Sequence, residues 1–239
     1  AKFNEGVLAP LNRSGDEEGI TFKDGEVTTP EGFADAYRQF CENGWASMTG
    51  GEDFGGQGFP VSMAAPFQEM MMSANLSFRV YTGLTDGAVF ALNMHGTDEL
   101  KTTYLPKMIS GEWTGTMCLT EPHAGTDLAL LRTKAEPQAD GSYAISGTKI
   151  FISGGEQDFT DNIVHLVLAR LPDAPAGVKG ISLFLVPKML EDGSRNGVAC
   201  GSVEHKMGIK AAATCVMNFD GAKGWLIGTE NRGLACMFT

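Results

Sequence analysis

The sequence is poor in positive charge and in long apolar runs. Of its 239 residues, 18 are lysine or arginine and 29 are aspartate or glutamate, so the formal net charge is −11. Nucleic acids and anionic membranes call for basic surfaces, and this balance excludes both as expected partners. No apolar run approaches the roughly 18 residues of a membrane span. The N-terminus has no apolar signal-peptide core, so we expect a cytoplasmic protein.

Cysteine and histidine are scarce as well. The five cysteines are odd in number, scattered and without metal-ligand spacing, which predicts reduced thiols. The four histidines form no spaced pair, and the sequence therefore predicts no metal site. His165 lies inside an apolar run, and we expect it to be a packed strand residue and not a ligand.

Helical periodicity dominates the chain before residue 112. Thr29 and Pro30 suggest the start of a helix that carries Phe33, Tyr37 and Phe40 on one face. Three more helices are predicted: the first covers residues 61–74, the second covers residues 77–96 and ends at Gly96, and the third covers residues 97–111 and begins at Thr97. These helices are expected to form an antiparallel bundle.

The period changes to two after residue 112. Short apolar or alternating runs bounded by turn residues predict β strands within residues 131–155, 162–170, 180–187, 197–205 and 213–221. The fold class is therefore α+β, with an N-terminal helical bundle followed by a β barrel or sandwich. The predicted domains are residues 1–112, all helical, and residues 113–228. Residues 229–239 begin a new helix-compatible pattern, which predicts the start of a truncated C-terminal helical domain.

One stretch carries more polar chemistry than a turn needs. In "MCLTEPHAGTD", residues 117–127, an apolar strand runs into hydroxyls, acids and a glycine. Gly125 permits close approach of a ligand, and the amides around Ala124 to Thr126 are candidates to face a phosphate. In "KIFISGG", Phe151 and Ser153 offer an aromatic face and a hydroxyl at a strand end, which suits a flat ring with polar edges. A β-hairpin with decorated loops explains the same residues.

These two stretches resemble the paired flavin-binding signatures of the acyl-CoA dehydrogenase family. "GTKIFISGG" follows "MCLTEPHAGTD" at the distance typical of that family, "GEDFGGQGFP" resembles its E-x-x-GG-x-G turn, and "HKMGIKAAATCVMNFD" resembles its K-M-G strand pair. The matches are collinear over residues 30–235. The resemblance implies a helical domain, a middle β domain and a C-terminal four-helix bundle, and the third of these is absent from this chain.

The resemblance also implies the cofactor and the residues that hold it. The cofactor is FAD, and Thr126 is implied to contact both its pyrophosphate and the substrate. Phe151 stands where the family usually has tryptophan, and Ser153 where it usually has threonine. The implied cofactor-binding residues are Met117, Leu119, Thr120, Gly125, Thr126, Phe151, Ile152 and Ser153.

The implied reaction is α,β-dehydrogenation of an acyl-CoA thioester to the 2-enoyl-CoA. The catalytic base is expected to be a glutamate in the C-terminal bundle, so no catalytic residue is expected here and the chain alone is expected to be inactive. An electron-transfer flavoprotein is the implied electron acceptor, and a homodimer or homotetramer the implied assembly. The N-terminal stretch resembles a branch that includes 3-methylthiopropionyl-CoA dehydrogenases. An acyl-CoA oxidase and a non-catalytic acyl-CoA-binding or assembly module are the alternatives.

Overall fold

A computed structural model describes residues 1–238 of the chain. A helical turn at Asn4–Leu8 leads into the first helix, and a single short helix follows the sheets. The helices are α1 (Ala9–Glu18), α2 (Phe33–Glu42), α3 (Val61–Ala74), α4 (Leu76–His95), α5 (Asp98–Ser110) and α6 (Gly233–Met237). Within this described part, no helix is long and apolar enough to cross a membrane.

Most of the predicted helices are confirmed, but the start of α2 is not. Phe33, Tyr37 and Phe40 are buried on one face, as their spacing predicts. The helix begins only at Phe33, because Gly32 before it has a left-handed backbone with φ 87°. Thr29 is not its N-cap. Its hydroxyl instead donates to Asp158 Oδ1 at 2.7 Å, so this residue ties the N-terminal part to the β region.

The N-terminal part is not wholly helical, in contrast to the prediction. Strands β1 (Thr21–Lys23) and β2 (Glu26–Thr28) form an antiparallel hairpin. Asp24 and Gly25 make its two-residue turn, with φ values of 53° and 85°. An Asp-Gly pair with both φ values positive is typical of such turns. The strands have only three residues each, too few to establish a recognisable period of two.

The β region contains seven strands in two sheets that share one long strand. The strands are β3 (Trp113–Cys118), β4 (Lys134–Pro137), β5 (Tyr143–Ser153), β6 (Asn162–Ala169), β7 (Ser182–Pro187), β8 (Val198–Val203) and β9 (Thr214–Ile227). The first sheet has the order β3-β6-β7 and ends on residues 225–227 of β9. Along the rest of its length, β9 pairs with β5 and β8, and β4 pairs with β5. Only β3 and β6 run parallel.

The molecule has three layers, with the first sheet in the middle. All eight residues of β6 are buried, because helices cover one face of this sheet and the second sheet covers the other. Leu166 and Leu168 share a core with α4, α5 and α6. Val167 and Ala169 share a core with the second sheet. The α+β prediction is confirmed, and the helices and the first sheet have one common core instead of two separate ones.

His165 is a packed strand residue, fully buried between the sheets. Its Nδ1 lies 2.7 Å from Thr116 Oγ1, and its ring meets Phe219 edge to face. Burial, aided by the charges of Lys188 and Arg195, lowers the pKa of this imidazole to about 3. The folded protein therefore holds His165 neutral across the whole physiological range of pH.

His165 makes stability depend on pH in a definite direction. The unfolded chain gains a proton at this residue below about pH 6.5, whereas the folded chain does not until about pH 3. Stability is therefore lost as pH falls through this window, by about 2 kcal/mol between pH 7 and pH 5. Urea unfolding at the two pH values measures this loss. His165→Gln keeps a hydrogen-bonding partner for Thr116, and we expect it to lose about 2 kcal/mol less between the two pH values. Equal losses in both proteins contradict the assignment.

Candidate functional site

The structure brings the two predicted signature segments together where β3 ends. Ile150 N donates to Thr120 O at 2.9 Å, and the Lys149 ammonium donates to Leu119 O at 3.0 Å. The carboxyl end of β3 is thus fastened to β5, although the two strands are neighbours in neither sheet. Residues separated by about 30 positions in the sequence therefore form one surface.

A β-bulge gives this surface its most prominent side chain. The pairing of β5 with β9 shifts between Lys149 and Ile152, and Phe151 in the bulge has a left-handed backbone with φ 58°. A bulky residue in that region is an outlier, and such strain clusters at functional sites. Phe151 is 57% exposed, whereas Ile152 beside it is buried in the core between the sheets. The bulge therefore turns one aromatic ring outward, and the Ile152 side chain has no access to a ligand.

The other predicted ring-lining residues lie at intermediate depth. Met117, Leu119, Thr120 and Ser153 are all half-buried. The side chains of Met117 and Leu119 pack on the helix side of the first sheet. A Cβ added to Gly87 of α4 would lie 3.2 Å from the Met117 sulfur, so this glycine lets α4 come close to the end of β3.

The predicted phosphate-facing segment is only partly as expected. Ala124 N donates to Glu121 O at 3.0 Å and Glu121 N to Ala124 O at 2.9 Å. The expectation that the Ala124 amide faces a ligand is therefore wrong, because the turn already uses that amide. Gly125 and Thr126 are exposed. A Cβ on Gly125 would meet nothing closer than Thr120 at 3.8 Å, so packing within the described residues does not require glycine there.

A buried ion pair supports the site from beneath. Lys149 Nζ lies 2.9 Å from Glu121 Oε1, with the two side chains 0% and 3% exposed. Glu121 also accepts hydrogen bonds from the amides of Arg132 and Thr133 and from the Thr133 hydroxyl. Burial raises the pKa of Glu121, but Lys149 and these donors outweigh it and the net pKa is lowered. Burial lowers the pKa of Lys149, and Glu121 opposes that shift.

Lys149 is the residue of this site that reasoning from the sequence missed. Glu121 lies in the first signature segment, and the sequence indicates no partner for it. The signal in the sequence that could have found it is a lysine within an otherwise apolar, alternating strand. A lysine buried at such a position requires a counter-ion.

A cavity of about 620 Å³ lies between α2, α3, α4, α5 and the loop of residues 46–58. Gly87 of α4 lines it, and the same glycine lies against Met117 of β3. Its wall mixes apolar and polar side chains, namely Phe40, Val89, Phe90, Met108 and Ile109 with Thr49, Gln68, Thr82, Thr85, Asp86 and Asn93. Pockets of this size hold small ligands. Among residues 1–238, no group of three or more potential ligands is placed to bind a metal ion.

The strain at Phe151 predicts a difference between two substitutions. Phe151→Gly and Phe151→Ala both remove the exposed ring, but only glycine adopts the left-handed backbone without a Cβ clash. We expect the glycine variant to be more stable than the alanine variant by about 1 kcal/mol. Alanine pays the penalty of a left-handed backbone, and the greater entropy of glycine in the unfolded chain offsets part of that difference. Urea unfolding measures both free energies. A glycine variant that is the less stable of the two contradicts a strained position.

Two domain families match the chain in the order that the fold shows. Residues 2–112 match the N-terminal domain of acyl-CoA dehydrogenase, and residues 116–222 match its middle domain. The chain therefore belongs to the acyl-CoA dehydrogenase family. Its fold agrees with this assignment, because a helical region precedes a region of two sheets and the two signature segments meet at the end of β3.

Individual members of this family are similar to the chain over nearly its whole length. The chain is 50% identical to 3-methylmercaptopropionyl-CoA dehydrogenase of Ruegeria pomeroyi, over 99% of this chain and 41% of that protein. It is 40% identical to a butyryl-CoA dehydrogenase of Syntrophomonas wolfei, over 97% of this chain and 41% of that protein. The structure of butyryl-CoA dehydrogenase from Megasphaera elsdenii superposes with a TM-score of 0.80 at 27% identity, covering 98% of this chain and 58% of the other. The chain thus spans about two fifths of the length of these two curated relatives.

Proposed function

We propose that the protein is an FAD-dependent acyl-CoA dehydrogenase that converts a short acyl-CoA to its 2-enoyl-CoA. The observation that carries this proposal is the position of Phe151. Its strained backbone turns the ring outward, beside the half-buried Thr120, where the ends of β3 and β5 are joined. Family membership supplies the chemistry. The proposed domains are residues 1–112 and 113–228, with a third, helical domain beginning at residue 229.

The residues at this site fit a flavin. The exposed Phe151 ring offers a flat apolar face, and the hydroxyls of Thr120 and Ser153 offer donors for polar ring edges. Gly125 and Thr126 are exposed, and the described chain gives no packing reason for glycine at residue 125, which favours close approach of a phosphate there. Met117 and Leu119 support the ring from the helix side. Ile152 contributes through its main chain, since its side chain is buried.

These residues are proposed to bind and orient the flavin and the thioester and to exclude water. The proton is removed by a residue elsewhere. In the proposed reaction the Cα–H bond breaks as a proton and the Cβ–H bond as a hydride, and a Cα=Cβ double bond forms. FAD supplies the hydride acceptor when it is bound. We place the base, a glutamate, in a C-terminal helical domain outside residues 1–238. Glu121 and Glu156 are not suited to this role, because both are buried in ion pairs, with Lys149 and Lys188 respectively.

The acyl chain is proposed to occupy the cavity beside α4. Gly87 lines this cavity and also lies against Met117, and we propose that a thioester held at Thr126 and the end of β3 directs its acyl group toward α4. A volume of about 620 Å³ is more than a short acyl chain fills, so the choice of a short chain rests on the names of the relatives and not on the volume. The methylmercapto name of one relative denotes the same acyl group as 3-methylthiopropionyl, and we propose 3-methylthiopropionyl-CoA as the first substrate to test.

The proposed partners and location follow from the same assignment. An electron-transfer flavoprotein is proposed as the electron acceptor, and a homodimer or homotetramer as the assembly. All five cysteines are free thiols and four of them are buried, which supports a reducing compartment such as the cytoplasm.

An anaerobic flavin titration of the full-length protein tests this function. We expect bound FAD whose visible band is bleached by 3-methylthiopropionyl-CoA or butyryl-CoA. Admission of air then separates two activities, since slow reoxidation is expected for a dehydrogenase and rapid reoxidation indicates an oxidase. A protein without flavin, or a flavin that no thioester bleaches, overturns the proposal in favour of a binding or assembly module.

A further inference from the structure

An ion pair within helix α4 forms part of the wall around the acyl cavity. Arg79 Nη2 lies 3.1 Å from Asp86 Oδ2, two helical turns along α4. Asp86 lines the large cavity, whereas Arg79 lines a small neighbouring cavity that shares Asp86, Thr82, Phe40 and others with it. The Arg79 side chain is 14% exposed and that of Asp86 44% exposed. The carboxylate is therefore the member of the pair that faces the larger cavity.

The local sequence fixes the position of the guanidinium. A Cβ added to Gly83 would lie 2.3 Å from Arg79 Nη1, so the arginine lies against the bare helix surface at this glycine. Its Nη1 also donates to Thr82 Oγ1 at 3.3 Å. Glycine inside a helix costs about 1 kcal/mol relative to alanine, and the close approach of Arg79 supplies a reason for it here.

We propose that Asp86 is a specificity-determining residue, which occupies Arg79 and thereby reserves the cavity for uncharged acyl chains. An acyl chain that ends in a carboxylate meets a second carboxylate at Asp86, and the Arg79 guanidinium already has a partner. A short uncharged chain is not repelled by Asp86 and needs no positively charged partner. This inference rests on the proposed function and adds to it the class of substrate.

The surroundings of Asp86 strengthen such a discrimination. Burial raises the pKa of Asp86 to about 6, and Arg79 acts in the opposite direction. The carboxyl group is therefore ionised at pH 7, in a cavity whose other lining residues include Tyr37 and Phe90. The Asp86 side chain is 44% exposed, so solvent screens part of the repulsion, but like charges still repel more strongly against this cavity wall than in water.

The test compares two thioesters of similar length on the FAD-loaded full-length protein. Butyryl-CoA has an uncharged end and glutaryl-CoA ends in a carboxylate. The measured quantity is the ratio of their anaerobic flavin-bleaching rates. We expect the wild-type protein to favour butyryl-CoA by about 100-fold or more, because juxtaposed like charges cost several kcal/mol. In Asp86→Asn the guanidinium is released, and we expect the ratio to move toward glutaryl-CoA by at least about tenfold.

Two further variants separate the role of Arg79 from a general change of charge. The double variant Arg79→Gln/Asp86→Asn removes the group that would capture the second carboxylate, and we expect it to lose the gain on glutaryl-CoA. Glu69→Gln removes one negative charge from α3 outside the cavity and is expected to keep the wild-type ratio. An unchanged ratio in Asp86→Asn, with butyryl-CoA still bleaching the flavin, overturns this inference. A wild-type flavin that no thioester bleaches overturns the proposed function instead.

Discussion

Replacement of Glu121 by alanine is expected to lower the free energy of unfolding by about 3–5 kcal/mol, because it leaves a buried charge without its partner. Lys149 is 0% exposed, and only Leu119 O remains to accept from its ammonium. The amides of Arg132 and Thr133 lose their acceptor in the same step. Most domains have only about 5–15 kcal/mol to lose, so the effect is large. Urea unfolding of the chain measures it.

A matched double variant separates the loss of a charge pair from the loss of packing. Glu121→Leu/Lys149→Met replaces both ions with apolar side chains of similar size. Exchange of a buried ion pair for apolar residues is often nearly neutral, so we expect this variant to be more stable than Glu121→Ala. A double variant as unstable as the single one shows that the hydrogen bonds to Glu121 matter more than the charge. In either case the bond from Lys149 to Glu121 is lost while the hydrogen bond from Ile150 to Thr120 remains, so the junction of the two segments is weakened and a fall in FAD affinity is expected.

Replacement of Gly56 by alanine is expected to cost more than about 3 kcal/mol, placing it among the severe substitutions. A Cβ at residue 56 would lie 2.0 Å from Gly50 O, and a backbone atom cannot turn aside as a flexible side chain can. The loop that holds these glycines is closed by hydrogen bonds from Gln57 N to Ser47 O and from Gly58 N to Gly50 O. The clash opens this loop.

The neighbouring glycine provides the control. Gly55 has φ 83°, and a Cβ there meets nothing within 4 Å. Gly55→Ala therefore carries only the left-handed penalty of about 1–2 kcal/mol. The thermal unfolding midpoint of the two variants compares them directly. Because the loop also forms a wall of the cavity, Gly56→Ala is expected to weaken acyl-CoA binding. Equal effects of the two alanines contradict the role assigned to close packing at Gly56.

The sequence predicts those parts of the fold whose signal is local and long. The continuous apolar run of β6 predicts a strand buried on both faces, and the structure has it between two layers. The spacing of Phe33, Tyr37 and Phe40 predicts the buried face of α2. The start of that helix depends on the left-handed Gly32, and a glycine at this position is compatible with a helix, a cap or a turn.

The site shows the limit of local signals more clearly. The prediction that two distant segments form one site rests on resemblance, since nothing in either segment encodes the hydrogen bond from Ile150 to Thr120. The bulge at Phe151 is a register shift against β9, and register depends on a partner strand more than 60 residues away. Alternation alone, counted from the buried Ile145 and Lys149, puts Phe151 on the buried face, so it predicts neither the outward ring nor the left-handed backbone. The roles of the eight cofactor residues stay predictions.

The position of β9 has a consequence for how the chain matures on the ribosome. This strand pairs with β5, β7 and β8, and residues 225–227 form the edge that joins the two sheets. Neither sheet is complete until that segment has left the exit tunnel, so β5, β7 and β8 each keep an unpaired edge until then. Strands that are distant in the sequence pair slowly, and unpaired strand edges favour association between nascent chains. Because β9 follows every strand that it pairs with, we expect the delay in its synthesis to be the stage at which the nascent chain is most open to chaperone binding.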